Sequence, residues 1–149
     1  MMLAPFHITI HTLPERPPNR KAMKIDDRSV ESLQIDSKDS TQQLEKSFEQ
    51  AASALEELPR MFFEPDGSFV WVSSLETIPW QLDGCLYDRQ NRLQYVELKG
   101  TCPREIFQQL LVAIGCVPAR AMFQLVRQAV FLDEENFLSL CHTSSTDTS

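Results

Sequence analysis

The large apolar side chains of this 149-residue chain crowd into its second half. Eleven of its thirteen aromatic residues lie between Phe62 and Phe137, and all four glycines (Gly67, Gly84, Gly100 and Gly115) follow residue 60. Only Phe6 and Phe48 fall earlier. A segment orders itself only if the apolar surface it buries offsets the conformational entropy it gives up. Residues 1–39 are rich in Pro and charge and poor in large apolar side chains, so they are expected to form a flexible arm. Met23, inside that arm, offers an alternative start of translation. Residues 40–143 are expected to form a single folded domain, long enough for one core without disulfides or metal. The polar residues 144–149 are expected to fray.

Charge and cysteine usage narrow the function classes. The formal net charge is −7 at pH 7. Residues 61–149 alone carry six basic and eleven acidic side chains. Neutralising phosphates needs a surplus of Lys and Arg, so a nucleic-acid partner is disfavoured. No apolar run approaches the roughly 18 residues of a membrane span, and no membrane partner is expected. The first residues lack a basic region and are interrupted by His7 and His11, which argues against a secretory signal. Cys85, Cys102, Cys116 and Cys141 show no paired metal-ligand spacing. They read as reduced thiols in or near the core, which points to a cytoplasmic location. The three histidines, His7, His11 and His142, lie near the ends, so a Ser–His or Cys–His pair within the domain is not expected.

Periodicity gives the element order. Residues 40–58 read as a helix, capped by Ser40 with Gln43 and closed by Pro59, with Leu44, Phe48, Ala51, Ala52, Leu55 and Leu58 on one face. Pro65-Asp66-Gly67 is a turn between two strand-like runs. Residues 81–88 and 93–99 alternate as two strands around Arg89-Gln90-Asn91-Arg92, and Gly100 is expected to break the second. Pro103 suits the first turn of a second helix, with Ile106, Phe107, Leu110, Leu111 and Ile114 as its buried stripe and Gly115 at its end. Residues 121–127 form a further strand, extensible through Phe131. Asp133 can cap a last short helix burying Phe137, Leu138 and Leu140. The expected fold class is α+β: helix, antiparallel strands, helix, strand, short helix, with the helices packed on one mixed sheet.

The hairpin carries the functional lead. Pairing Asp83 with Glu97 aligns an apolar face of Leu82, Gly84 and Leu86 with Leu98, Val96 and Gln94. The other face then brings Asp83, Glu97 and Lys99 together. Opposed carboxylates destabilise a strand pair by up to about 1 kcal/mol, so Lys99, open solvent or a bound cation should compensate. Two carboxylates suit Mg²⁺, which takes one or two protein carboxylates plus waters and substrate phosphates. Such an ion can activate water and brace a phosphodiester, with Lys99 stabilising the developing charge.

Asp83, a short hairpin and then Glu97-Leu98-Lys99 resemble the signature of the PD-(D/E)XK nuclease superfamily. The resemblance covers the element order from about residue 40 to 131. It implies that Asp83 and Glu97 are metal ligands for Mg²⁺ and that Lys99 is the catalytic lysine. It also implies a Glu from the first helix, for which Glu45 and Glu49 both stand open. Leu82 takes the place of the family's proline.

A plainer reading stands beside it: Asp83, Glu97 and Lys99 as an ordinary solvated strand face, Arg89 and Arg92 as a soluble turn, and Trp71, Trp80, Tyr87 and Tyr95 as core or half-buried sheet aromatics. Two functions from different classes follow. One is a small metal-dependent nuclease-like domain, active or degenerate. The other is a non-enzymatic, acidic protein-interaction module, with a protein partner or a second copy of the chain. Its element order and charge resemble small secretion-chaperone-like folds, which imply a dimer.

Overall fold

A computed structural model of the chain describes residues 2–36 and 43–142. Nine strands form one sheet: β1 (Phe6–Thr12), β2 (Asn19–Ile25), β3 (Arg28–Gln34), β4 (Met61–Phe63), β5 (Ser68–Val72), β6 (Gln81–Arg89), β7 (Arg92–Thr101), β8 (Ala121–Leu125) and β9 (Val130–Asp133). Their order across the sheet is β2-β3-β9-β8-β1-β7-β6-β5-β4. Among the described residues there are three α-helices, α1 (Phe48–Glu56), α2 (Arg104–Ala113) and α3 (Glu134–Cys141), and a short 3-10 helix at Pro118–Arg120.

Every strand pair is antiparallel. The expected mixed sheet is therefore corrected. The expected order had a single strand after the second helix. Residues 121–133 instead form a hairpin, β8–β9, whose turn places Ala129 at φ 59°.

The expected flexible arm over residues 1–39 is corrected as well. Residues 6–34 form three strands, and β1 lies in the middle of the sheet between β7 and β8. The physical reason is alternation. A strand with one buried face needs only every second residue to be apolar. Phe6, Ile8 and Ile10 supply that, and all three are buried. A low apolar total hides this pattern. At the sheet edge, β2 carries Arg20, Lys21 and Lys24, charges of the kind that discourage further strand pairing. Residues 37–39, the proposed cap Ser40 and the tail 144–149 lie outside the described residues.

All three helices cover one face of the sheet. Leu55 of α1, Phe107, Leu110 and Leu111 of α2, and Phe137 of α3 join Ile8, Ile10, Leu82, Val96, Leu98 and Phe123 in one core. The first helix starts later than the pattern suggested. The Ser-x-x-Gln cap occurs twice in the sequence, and the helix is capped by the second copy: Gln50 N–H donates to Ser47 Oγ, while Ser47 N–H donates to Gln50 Oε1. Leu44, ahead of the cap, is buried and donates its N–H to the Leu93 carbonyl.

The second helix ends as its sequence proposes. Gly115 takes φ 82°, Cys116 N–H reaches the Leu111 carbonyl and Gly115 N–H the Val112 carbonyl, the paired bonds of a Schellman end. Asp133 caps α3 by accepting from Asn136 N–H. Gly100 does not end β7. It sits within the strand at φ 140°, where a Cβ would meet the Gln81 carbonyl oxygen at 2.2 Å.

Candidate functional site

The sheet face away from the helices carries the residues of the hairpin lead. The β6–β7 register pairs Asp83 with Lys99 and Cys85 with Glu97. Asp83 does not oppose Glu97, so the expected pairing is corrected by a shift of two residues. Two causes act together. The Arg89–Arg92 connection is a two-residue turn with Gln90 and Asn91 at φ 53° and 66°, and an irregularity follows at Tyr87/Asp88. A two-residue shift keeps every side chain on its own face, so the apolar pattern fits both registers.

Asp83, Glu97 and Lys99 thus share a face, but Asp83 and Glu97 are diagonal neighbours. That relation sets them roughly 7–8 Å apart, against about 5 Å for direct partners. Each carboxylate already has partners. Gln81 Nε2 donates to Asp83 Oδ1 at 3.0 Å. His7 Nε2 lies 2.6 Å from Glu97 Oε2, and Tyr87 Oη donates to Glu97 Oε1 at 3.1 Å. The His7 bond, with a further contribution from Tyr87, holds the Glu97 carboxyl below its usual range. The bond to Glu97 in turn pushes the Tyr87 hydroxyl up to about 12. A cation shared by Asp83 and Glu97 would have to draw both side chains together and pull Glu97 from His7 and Tyr87. Among the described residues, no three His, Cys, Asp or Glu side chains converge as a metal-holding group. Glu45 is exposed and precedes α1, while Glu49 is exposed in its first turn.

Two histidines at the chain's beginning are brought to the sheet's centre, which their sequence position did not suggest. Beside the Glu97 group, His11 is buried and shares a 2.7 Å bond with the Thr9 hydroxyl. Its ring stacks on Tyr95 at 5.5 Å, and Tyr95 stacks on Tyr87 at 4.7 Å. Phe131 meets the other side of His11 edge-on. Burial pulls the His11 pKa down to about 4. These rings contact one another, so the ladder covers the sheet and keeps His11 neutral.

On the helix side, the loop between β5 and β6 forms one wall of an apolar groove of about 680 Å³. Trp71 and Trp80 lie at its base, packed edge to face at 5.3 Å, with Trp71 Nε1 donating to the Pro59 carbonyl. Ile106 and Gln109 of α2 form the opposite wall, and Met2 and Pro103 also line the groove. The loop is fixed at its neck: Ser73 N–H donates to the Trp80 carbonyl and Trp80 N–H to Ser73 Oγ. Beyond that neck Leu75 is 90% exposed and Ile78 75% exposed. A shallower depression of about 520 Å³ continues over α2 past Leu58 and Glu57 to Val112, itself 64% exposed. Sequence reading passed over this loop. Its signal was two large aliphatic residues, Leu75 and Ile78, inside a connection where turn chemistry favours small polar ones.

Comparison with known proteins returns no match: no family model fits the sequence, and no curated protein or solved structure is significantly similar to it. Among the described residues, no helix is long and apolar enough to cross a membrane.

Proposed function

We propose that this chain is a non-enzymatic protein-interaction module that docks its partner on the groove between the β5–β6 loop and α2. The exposure of Leu75 and Ile78 beside a tryptophan-based apolar groove carries the reading. Single exposed aliphatic residues are ordinary on protein surfaces, but a contiguous patch joined to a concave apolar surface marks a binding site. A small molecule in the groove would leave Leu75 in water. A polypeptide crossing the loop would cover both. The diagonal placement of Asp83 and Glu97, and the engagement of Glu97 by His7 and Tyr87, give the phosphodiester-cleaving alternative less support. A reducing, cytoplasmic setting belongs to the same proposal, supported by four free cysteines. Burial pushes the thiols of Cys102, Cys116 and Cys141 up to about 12, so they are poor nucleophiles.

The test is selection of displayed peptides on the wild-type chain, with each recovered peptide measured against Ile78→Asp. Peptides that bind the wild type and lose at least about tenfold on Ile78→Asp support the site, a loss of about 1.4 kcal/mol. Recovered peptides that bind both proteins equally place the interaction elsewhere and overturn the assignment.

A further inference from the structure

We infer that the β2–β3 hairpin is a flap that opens from the rest of the sheet as one unit, that the cap of α3 latches it, and that its opening bares the edge of β9. The two strands of the hairpin pair along their whole length around a two-residue turn, with Asp26 and Asp27 at φ 51° and 67°. The seam to the rest of the sheet is far shorter. There β3 meets β9 at one ladder position, Leu33 opposite Phe131. In contrast, β1 pairs with β7 over Phe6–Ile10 and with β8 over Ile8–Thr12.

Alternation explains the short seam. Successive residues of an antiparallel strand turn their N–H and C=O to opposite neighbours. Ile25 and Arg28 close the two-residue turn and bond each other, so Val30, Ser32 and Gln34 bond to β2 while Glu31 and Leu33 face β9. On the other side, Val126 N–H donates to the His7 carbonyl, so Gln124 bonds to β1, and Phe123 and Leu125 bond to Leu132 and Val130. Phe131 is thereby turned toward Leu33. Beyond this pair the ladder stops in both directions. Glu31 N–H goes to Asn136 Oδ1 at 2.9 Å instead of to β9. Ala129 turns away at φ 59°, leaving a cleft of about 370 Å³ beside Gln34 and Ile35.

Among the described residues, the hairpin's other hydrogen bonds to the rest of the molecule end on α3 or its cap. Arg20 Nη1 donates to Asp133 Oδ2 at 2.8 Å, and Arg28 Nη1 to the Ser139 carbonyl at 2.7 Å. Asp133 Oδ1 accepts from both the N–H and Nδ2 of Asn136, so the two residues that build the cap of α3 also grip the flap. Burial of Ile25, Val30 and Leu33 keeps the closed form dominant. Between β1 and β2, Pro14 is buried while residues 15–17 are exposed, which places the hinge there. Opening breaks one ladder position and the latch, and leaves the pairing of β1 and β4 to β9 intact. It makes β9 the sheet edge, with the main-chain groups of Phe131 free to pair with an extended segment.

Amide hydrogen exchange of the full chain, followed residue by residue by NMR, tests the flap. Val30, Glu31, Leu33 and Phe131 should share one level of protection, about tenfold or more below that of Leu98 and Leu132. Leu132 lies on β9 but bonds to β8, so it separates departure of the flap from loss of β9 itself. Gly84→Ala forces a Cβ against Phe69, far from the seam. It should cut the protection of Leu98 by about fivefold or more and leave Glu31, Leu33 and Phe131 unchanged. Arg20→Ala should speed exchange of those three residues by about threefold, the scale of a partly exposed ion pair. Equal protection of Phe131 and Leu132 in the wild type overturns the seam. A Gly84→Ala effect that falls equally on the flap and on Leu98 overturns independent opening. Flap exchange unaltered by Arg20→Ala overturns the latch.

Discussion

Replacing Ile8 with Ala tests the central position of β1 most directly. Ile8 is fully buried and pairs with Leu98 of β7 on one side and Leu125 of β8 on the other. Truncating a buried Ile to Ala removes apolar contact and leaves a cavity, at a cost of about 2–5 kcal/mol. A domain of this size has about 5–15 kcal/mol in all. The melting temperature should fall by about 2–4 °C for each kcal/mol lost. Urea titration followed by far-UV circular dichroism gives the free energy, and an unchanged slope confirms that stability alone has altered. Leu98→Ala should cost a similar amount. The double variant should deviate from the sum of the singles by at least about 0.5 kcal/mol, because the two side chains are direct neighbours. A chain starting at Met23 would lack the strand joining β7 to β8 and should show no cooperative transition. An Ile8→Ala loss below about 1 kcal/mol, additive with Leu98→Ala, would refute the placement and restore a mobile N-terminal segment.

Two further predictions follow from local environments. The fold holds the His11 pKa at about 4 against 6.5 when unfolded. The unfolded state therefore binds more protons between those values, and stability falls as pH drops below about 6.5. His11 should contribute a loss of about 2 kcal/mol between pH 7 and pH 5, and His11→Gln should flatten that part of the urea-midpoint profile; an unaltered profile would sink the assignment. At Gly84, an added Cβ would meet Phe69 Cζ at 2.2 Å, so Gly84→Ala should cost about 1–3 kcal/mol by overpacking. The same change made in a Phe69→Leu background should cost much less, and an equal cost in both backgrounds would show that the ring is not the obstacle.

Much of the second half was legible because each signal there is local. The cap at Asp133, the end of α2 at Gly115 and the turn at Gly67 depend on residues within a few positions, and Leu110 is buried where its helical stripe put it. The misread parts depend on distant partners. Leu82, Leu86, Val96 and Leu98 fix which faces of β6 and β7 turn inward but leave shifts of two residues equivalent, so Asp83 and Glu97 were set opposite each other in error. The strand Phe6–Thr12 has only three large apolar side chains on its buried face, and their partners Val96, Leu98, Phe123 and Leu125 lie far along the sequence. Composition measured over residues 1–39 averaged that strand with the charged β2. The groove was missed because Leu75 and Ile78 form part of no periodic pattern.

The middle position of β1 has a consequence for how the chain comes to be folded. As the chain emerges from the ribosome, Ile8 is made well before Leu98 and Leu125, and both flanks of its strand stay open until β7 and β8 have appeared. The sheet cannot close across its midline by any local hairpin. Such distant pairing slows folding, because the entropy of a long loop is lost before the contacts that reward it form. During that wait the stretch Phe6-His7-Ile8-Thr9-Ile10 is an unpaired, strand-forming segment of the kind that templates aggregation. Newly made chains should therefore depend on slow synthesis, low concentration or a holding chaperone far more than the finished domain does.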